Sequence, residues 1–393
     1  MKILFCNYEY PPLGGGGGVV MAALARELAR RHTVTVLTSR ALALPAESDD
    51  AGVRVIRVPV IFRRELAVAN LPSMLAYVPA AGLRGLSLER GGKFDVINTH
   101  FVVPTGPVGH VLAHLWRIPN VLSVHGGDLY DPSKASSPHR HAWLRGPIRY
   151  LLQRADRLVG QSRNTLEHVR GFYAVQRASE LIPLGIERPP HADPVRRELG
   201  IPEDAFVMVT VGRLVARKAN LKLVEALSAA QRPHAHLLIV GDGPEAGAIR
   251  TAAANAGVGD RVHLTGQVSE QRKFEALASA DLFVSASQHE GFGLVFLEAM
   301  AYRLPIICFD HGGQTDFLTD GETGSVVKLN DVGAFTQAVV RLHDSKPLRE
   351  RMGETNGRRV ENYYIDTCAR NYEAVFEDAV RSARSGARQP VSS

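Results

Sequence analysis

The chain is predicted to be an α/β protein built from two successive, doubly wound parallel sheets. Three observations predict it. Short β-branched runs alternate with helical stretches along most of the 393 residues. The alternation stops in a proline-dense stretch and then restarts. Apolar residues make up 45% and charged residues 22%, which suits domains with sizeable cores and excludes a disordered or fibrous chain.

The first run, KILFC, is a buried strand that leads through Pro11, Pro12 and the glycines at 14–18 into a helix around residues 19–31. TVTVLTS is the next strand, and VRVIRV, DVINTH, NVLSVHG and RLVGQS continue the series. Residues 181–205 carry Pro183, Pro189, Pro190, Pro194 and Pro202. Proline fixes φ and removes a donor, so this stretch reads as a linker. The second half restarts with FVMVTVGR, HLLIVGDG, RVHLTG, DLFVSAS and PIICFDHGG. Residues 329–380 read as helices and 381–393 as a frayed tail. The expected domains are therefore 1–185 and 186–380.

Net charge is +6, unevenly spread. Residues 1–185 hold 22 Lys+Arg against 13 Asp+Glu, and 186–393 hold 24 against 27. A basic first half suits an anionic membrane face or an acidic acceptor, or merely arginines that solvate helix faces. A nucleic-acid partner is not expected, because no recognition motif is present. Cys6, Cys308 and Cys368 form no C-x-x-C pair, which excludes a disulfide framework or zinc knuckle and fits a reducing compartment. The apolar start is too short for a signal peptide and reads as the first strand. Residues 66–83 are uncharged but carry Asn70, Pro72, Ser73 and Pro79, so no membrane span is expected there.

Glycines between a first strand and its helix let backbone N–H groups approach an anion. The second strand ends in Ser39 and Arg40 with no acidic residue, which argues against a nicotinamide dinucleotide. In NVLSVHGGDLY, His125 follows a strand, at the end that faces ligands in such sheets. It can donate a hydrogen bond or move a proton, and Asp128 can orient it or meet a substrate hydroxyl. His100 has the same kind of position, whereas His139 and His141 read as part of a solvated loop. In VGRLVARKAN, Arg213 and Lys218 follow a strand and supply the paired cations a diphosphate needs. Gly241 and Gly243 permit either close ligand approach or a plain turn. In SASQHEGFGLVFLEAMA, Glu290 enters a glycine-bearing loop ahead of a helix carrying Glu298. Continuous helix would separate the two carboxylates by about 12 Å, too far for a hydrolase pair.

These residues resemble the retaining glycosyltransferases of the GT-B fold, sequence family four (glycosyl transferases group 1), over nearly the whole chain. HEGFGLVFLEAMAYRLPIICFDHGG is similar to the family's Glu-x7-Glu signature and the strand after it, and VGRLVARK to its Gly-Arg…Lys motif. PPLGGGGG with LARELARR, SVHGGD and LIPLGIE resemble its glycine loop, first-domain histidine and interdomain segment. The resemblance implies two Rossmann-like domains facing across a cleft, with C-terminal helices packing back on the first. It implies that Gly15 and Gly16 approach the donor phosphate and that Arg213 and Lys218 neutralise the leaving diphosphate. Glu298 would hold the ribose, and the backbone near Val268 would read the base. Glu290 and the amides of Gly291, Phe292, Gly293 and Leu294 would hold sugar and phosphate, and His125 would contact the sugar. Leu184, Ala219 and Asp316 depart from the usual Asn, Gly and Glu. Gly17 and Gly18 replace larger acceptor-facing residues, which implies a wider acceptor side.

The expected function is transfer of a hexose-type sugar from a UDP or GDP donor to an acceptor hydroxyl, in bacterial polysaccharide, lipopolysaccharide or glycolipid synthesis. No Asp-x-Asp is placed to hold a metal, so neither metal nor cofactor is expected. The competing readings are a sugar-nucleotide epimerase or phosphorylase of the same fold, or a non-catalytic nucleotide-sugar-binding subunit. The expected partners are the nucleotide sugar and a saccharide or lipid-linked acceptor. The expected location is cytoplasmic, with peripheral contact at the inner membrane face.

Overall fold

A computed structural model describes residues 1–41, 44–61, 63, 70–88, 92–132 and 137–386. The chain divides into two compact units: Met1–Glu187 together with Tyr364 and the residues after it, and Arg188–Tyr363.

In the first unit β1 (Lys2–Cys6), β2 (Thr33–Arg40), β3 (Glu47–Asp50), β4 (Val53–Pro59), β5 (Val96–His100), β6 (Asn120–Val124), β7 (Arg157–Gly160) and β8 (Glu180–Leu181) form one sheet. Its order is β3-β4-β2-β1-β5-β6-β7-β8, parallel except where β3 joins β4. Helices α1 (Gly16–Ala29), α2 (Leu71–Leu88), α3 (Gly106–Trp116), α4 (Ala142–Arg154) and α5 (Arg163–Tyr173) connect the strands. Strand order runs one way from β1 and the other way from β5, so the switch point lies between these two. Right-handed crossovers then put α1 on one face and α2 to α5 on the other. β5 and β6 are buried along their whole length, as central parallel strands covered on both faces must be. Leu4, Cys6 and Ile97 pack with Tyr77 and Leu112 under α2 and α3, and Leu122 and Val124 with Ile148 and Leu152 under α4.

In the second unit β9 (Phe206–Val211), β10 (Ala235–Val240), β11 (Val262–Leu264), β12 (Leu282–Ser285), β13 (Ile306–Phe309) and β14 (Gly324–Val327) form a parallel sheet of order β11-β10-β9-β12-β13-β14. Helices α6 (Leu221–Ala229), α7 (Ala246–Asn255), α8 (Glu270–Ala278), α9 (Leu294–Ala301), α10 (Val332–Asp344) and α11 (Lys346–Arg359) complete it. Its switch point lies between β9 and β12.

The chain then returns to the first unit as α12 (Ile365–Arg384). Ile365 N–H donates to Ile186 O at 2.8 Å, tying the start of the helix to the segment after β8. Cys368, Ala369, Tyr372, Phe376 and Ala379 make one buried stripe at helical spacing. The Tyr372 hydroxyl donates to Ser123 Oγ at 3.1 Å. Arg31 and His32 meet Glu373 at 2.7 and 2.9 Å. Residues 364–380, placed by boundary in the second domain, belong to the first unit, where their apolar stripe finds its partner; this is the packing of C-terminal helices on the first domain that the resemblance implies. Residues 381–384, expected to fray, are helical; 387–393 lie outside the described residues.

Three strands carry weak sequence signals. ESDD of β3 is acidic and holds its edge position through charge: Glu47 pairs with Arg54 and Arg84, and Asp50 with Arg26. β8 and β14 are short. The three cysteines are buried and unpaired.

A Cβ on Gly185 would lie 2.8 Å from Ile365 Cα, against backbone that cannot swing aside. Gly185→Ala is expected to destabilise the first unit by about 1–3 kcal/mol. Thermal melting and proteolysis ahead of α12 would check this; an unchanged melting temperature would count against close packing there.

Candidate active site

In the second unit the loops after β9 and β12 meet at the switch point. Glu290 is only 7% exposed. Its carboxylate receives a short hydrogen bond from Lys218 Nζ, and Arg217 Nη1 lies 3.9 Å from its other oxygen. Burial alone would raise the Glu290 pKa, but the charges of Lys218 and Arg217 outweigh it and hold the group below the usual carboxylate range. Arg217 also donates to His289 O at 3.1 Å, and Gln288 N–H to Arg217 O at 2.8 Å, so the loops are joined by backbone as well as charge. Arg213 is exposed and its guanidinium has no partner among the described residues.

Glycines allow this approach. A Cβ on Gly241 would fall 2.0 Å from Gly212 O, and one on Gly243 2.4 Å from Leu214 O. Both serve loop-on-loop packing. A Cβ on Gly312 would fall 2.4 Å from Glu290 O, and one on Gly313 2.3 Å from Gly291 O. The loop after β13 thus lies backbone to backbone on the Glu290 loop, and Gly313 N–H donates to Glu290 O at 2.8 Å. Ala219 sits at φ 46, a left-handed conformation that explains why glycine is usual there.

Gly293, at φ 94, precedes α9. The backbone N–H groups of Phe292, Gly293 and Leu294 have no partner among the described residues and begin the positive end of this helix; Gly291 lies just before them. Helix begins only at Leu294, so the helical separation expected between Glu290 and Glu298 does not apply. The two carboxylates have different surroundings. Glu298 Oε1 accepts from Lys273 Nζ at 2.8 Å, while Oε2 is buried without a partner. Burial raises the Glu298 pKa, partly opposed by Lys273. The backbone N–H and C=O of Val268 make no hydrogen bond among the described residues.

In the first unit Gly15 caps α1 from an extended conformation, and the N–H groups of Gly16 and Gly17 are unpaired. Gly15 and Gly16 are exposed. Gly17 and Gly18 do not widen an acceptor side: their Cβ positions would meet Phe101 Cζ at 2.9 Å and Leu13 O at 3.1 Å. They are glycines so that α1 can pack.

His125 is buried. Gln161 Nε2 donates to His125 O at 2.5 Å, so Gln161 Oε1, 3.2 Å from Nδ1, must accept from the ring. His125 Nε2 then accepts from His100 Nδ1 at 3.1 Å. Burial lowers the His125 pKa to about 4, so the ring is neutral near pH 7. Asp128 does not touch the ring. Its oxygens accept the backbone N–H of His125 at 3.0 Å and of Val102 at 2.7 Å, and burial raises its pKa to about 6. The ring's orienting partners, His100 and Gln161, come from the ends of β5 and β7. Gln161 was not singled out in the sequence; its only signal is its place directly after RLVG. Arg217 was equally overlooked, though it adjoins Lys218. His139, expected to be solvated, packs on Tyr130 and Phe172 and lies 2.8 Å from Ser137 Oγ.

Comparison with known proteins places the chain in a family. Residues 15–185 match the family model of the glycosyl transferase 4-like domain, and residues 192–359 that of the glycosyl transferases group 1. The chain belongs to the group 1 glycosyltransferases of GT-B fold. It is 29% identical to D-inositol 3-phosphate glycosyltransferase of Acidothermus cellulolyticus, over 98% of this chain and 91% of that one. It is 27% identical to N-acetyl-alpha-D-glucosaminyl L-malate synthase of Bacillus anthracis, over 98% of this chain and all of the other. Sucrose-phosphate synthase of Thermosynechococcus elongatus has the same fold, with TM-score 0.82 and 23% identity over 97% of this chain and 100% of that one. So has the Anabaena protein HepE in complex with UDP, with TM-score 0.77 and 18% identity over 96% and 100%.

His125 has a folded pKa of about 4 against an ordinary 6.5, so its contribution to stability is full above pH 6.5 and is lost as pH falls toward 4. The loss from His125 is of order 3 kcal/mol, offset in part because Asp128, raised to about 6, shifts stability the opposite way. His125→Gln is expected to flatten the fall in melting temperature between pH 6.5 and 4. Parallel slopes in the two proteins would count against a buried neutral ring.

Proposed function

We propose that this glycosyltransferase moves a hexose-type sugar from a nucleoside diphosphate to an acceptor hydroxyl, with retention at the anomeric carbon and without a divalent metal. One observation carries the reading. Exposed Arg213, Lys218 on Glu290, and the unpaired amides at the start of α9 belong to loops that meet at one switch point. Departure of a diphosphate builds negative charge, and preorganised cations and amides are the groups that stabilise it. They serve the purpose a metal ion otherwise serves. The UDP in the HepE structure, and the UDP-glucose in another structure of that protein, support a donor of this class.

The bond between the anomeric carbon and the diphosphate oxygen breaks as the acceptor oxygen bonds on the same face. The acceptor proton passes to the departing phosphate. Glu290 fixes Lys218 and, with the amides of Gly291 to Leu294, holds sugar and phosphate. The free Oε2 of Glu298 accepts from ribose hydroxyls, and the unpaired backbone of Val268 meets the base. Gly15 and Gly16 give the donor phosphate room. His125, neutral and hydrogen-bonded at both ring nitrogens, supplies a fixed wall beside the sugar, and Asp128 braces its loop. The acceptor is a saccharide or lipid-linked hydroxyl of bacterial surface-glycan synthesis, met at the inner face of the membrane. Among the described residues no helix is long and apolar enough to cross a membrane.

Lys218→Ala and Glu290→Ala are each expected to lower turnover about 100- to 1,000-fold, with EDTA leaving the wild-type rate unchanged. A screen of UDP- and GDP-sugars by thermal shift would first identify the donor, since a bound donor raises the melting temperature. Near-normal turnover in both variants would overturn the assignment, and loss of activity in EDTA would overturn its metal-free form.

A further inference from the structure

We propose that α2, α3 and α4 form the face on which the first unit rests against an anionic lipid bilayer; this rests on the peripheral placement proposed above and names its surface. A helix at a water-facing surface normally turns polar residues outward. α2 does the opposite. Leu71, Leu75, Leu83 and Leu86 are 52%, 63%, 73% and 44% exposed, on one stripe with exposed Pro79 between them. The stripe carries no charge along a helix of about 27 Å.

The neighbouring helices extend this surface. On α3, Val111 and Leu115 are 48% and 55% exposed, and on α4, Trp143 and Tyr150 are 68% and 50% exposed. The three helices are contiguous. A Cβ on Gly85 of α2 would fall 2.5 Å from Leu112 of α3, and one on Gly106 of α3 would fall 3.0 Å from Leu151 of α4. His110 and Tyr150 make an edge contact at 5.4 Å.

Charge selects the occupant. The three helices together contain Arg84, Arg145, Arg149 and Arg154, and no Asp or Glu. Glu47, near α2, is matched by Arg54 and Arg84; Glu89, which follows α2 in the sequence, lies outside the described residues. Arg149 is exposed and has no ion-pair partner among the described residues, and Arg154 lies 5.5 Å from the centroid of the Tyr150 ring. α12, across the sheet, shows the contrast: it carries Asp366, Glu373, Glu377 and Asp378. Exposed apolar side chains with Trp and Tyr, on helices that contain arginines but no Asp or Glu, match the chemistry of an anionic lipid surface. Residues 62 and 64–69, which precede α2, lie outside the described residues.

The chain has two tryptophans, and Trp116 is part-buried against Phe94. A Trp116→Phe protein leaves Trp143 as the sole reporter. With vesicles of phosphatidylcholine and 30% phosphatidylglycerol (about one anionic lipid in three), its emission is expected to shift to the blue and the protein to co-sediment. Arg149→Gln with Arg154→Gln is expected to weaken partitioning about tenfold. Leu75→Ser with Leu83→Ser is expected to abolish it, at unchanged helical content and melting temperature. No shift and no sedimentation, or equal binding to pure phosphatidylcholine, would overturn the proposal. So would a dimer in sedimentation analysis that the leucine variant dissociates, since the face would then cover a second copy. The vesicles contain neither donor nor acceptor, so failure here leaves the transfer reaction to the Lys218 and Glu290 variants.

Discussion

The buried ion pair between Glu290 and Lys218 sets the arrangement of the second unit's switch point. A carboxylate taken out of water is destabilised by several kcal/mol unless a cation comes with it. Lys218 and Arg217 must therefore be delivered to within reach of Glu290 by a loop from a different strand. That delivery sets the backbone requirements around it. Gly212 takes φ 149, and Gly241 and Gly243 let the loop after β10 press against the loop after β9. Gly312 and Gly313 let the loop after β13 rest on Glu290 and Gly291. Four glycine-bearing loops, far apart in sequence, are consequences of housing one charge.

The first unit does the opposite at His125, where burial removes the charge. His100 and His125 share a hydrogen bond inside the protein, and burial keeps both neutral. Gln161 sets the tautomer of His125, and Asp128 holds the loop that carries it. A histidine so fixed offers shape and a constant dipole. The proposed chemistry asks no more of it, because the departing phosphate takes the acceptor's proton.

The two faces of the first sheet are finished differently. α12 covers one face with a buried apolar stripe and turns carboxylates outward, where Arg31 and Arg157 meet Glu373 and Asp378. The other face ends in α2, α3 and α4, which leave large apolar side chains uncovered and carry no carboxylate. The difference is of composition, since the helices on both faces bury one apolar side against the same strands.

Local pattern was enough to read both parallel sheets, the linker prolines, the loops holding Arg213, Lys218 and Glu290, and the helix carrying Glu298, because strand period, proline and glycine act over a few residues. The edge strand β3 escaped that reading, since ESDD has no strand propensity and is held by arginines from other elements. Gln161 and Arg217 escaped it too, because a side chain's role depends on which loop lies opposite. Tertiary structure alone decided that Gly17 and Gly18 serve packing and that Asp128 binds backbone. It alone decided that Glu290 and Glu298 have separate cation partners. The physical reason is common to all of them: an apolar stripe, an ion pair or a close backbone approach is completed only by a partner distant in the chain.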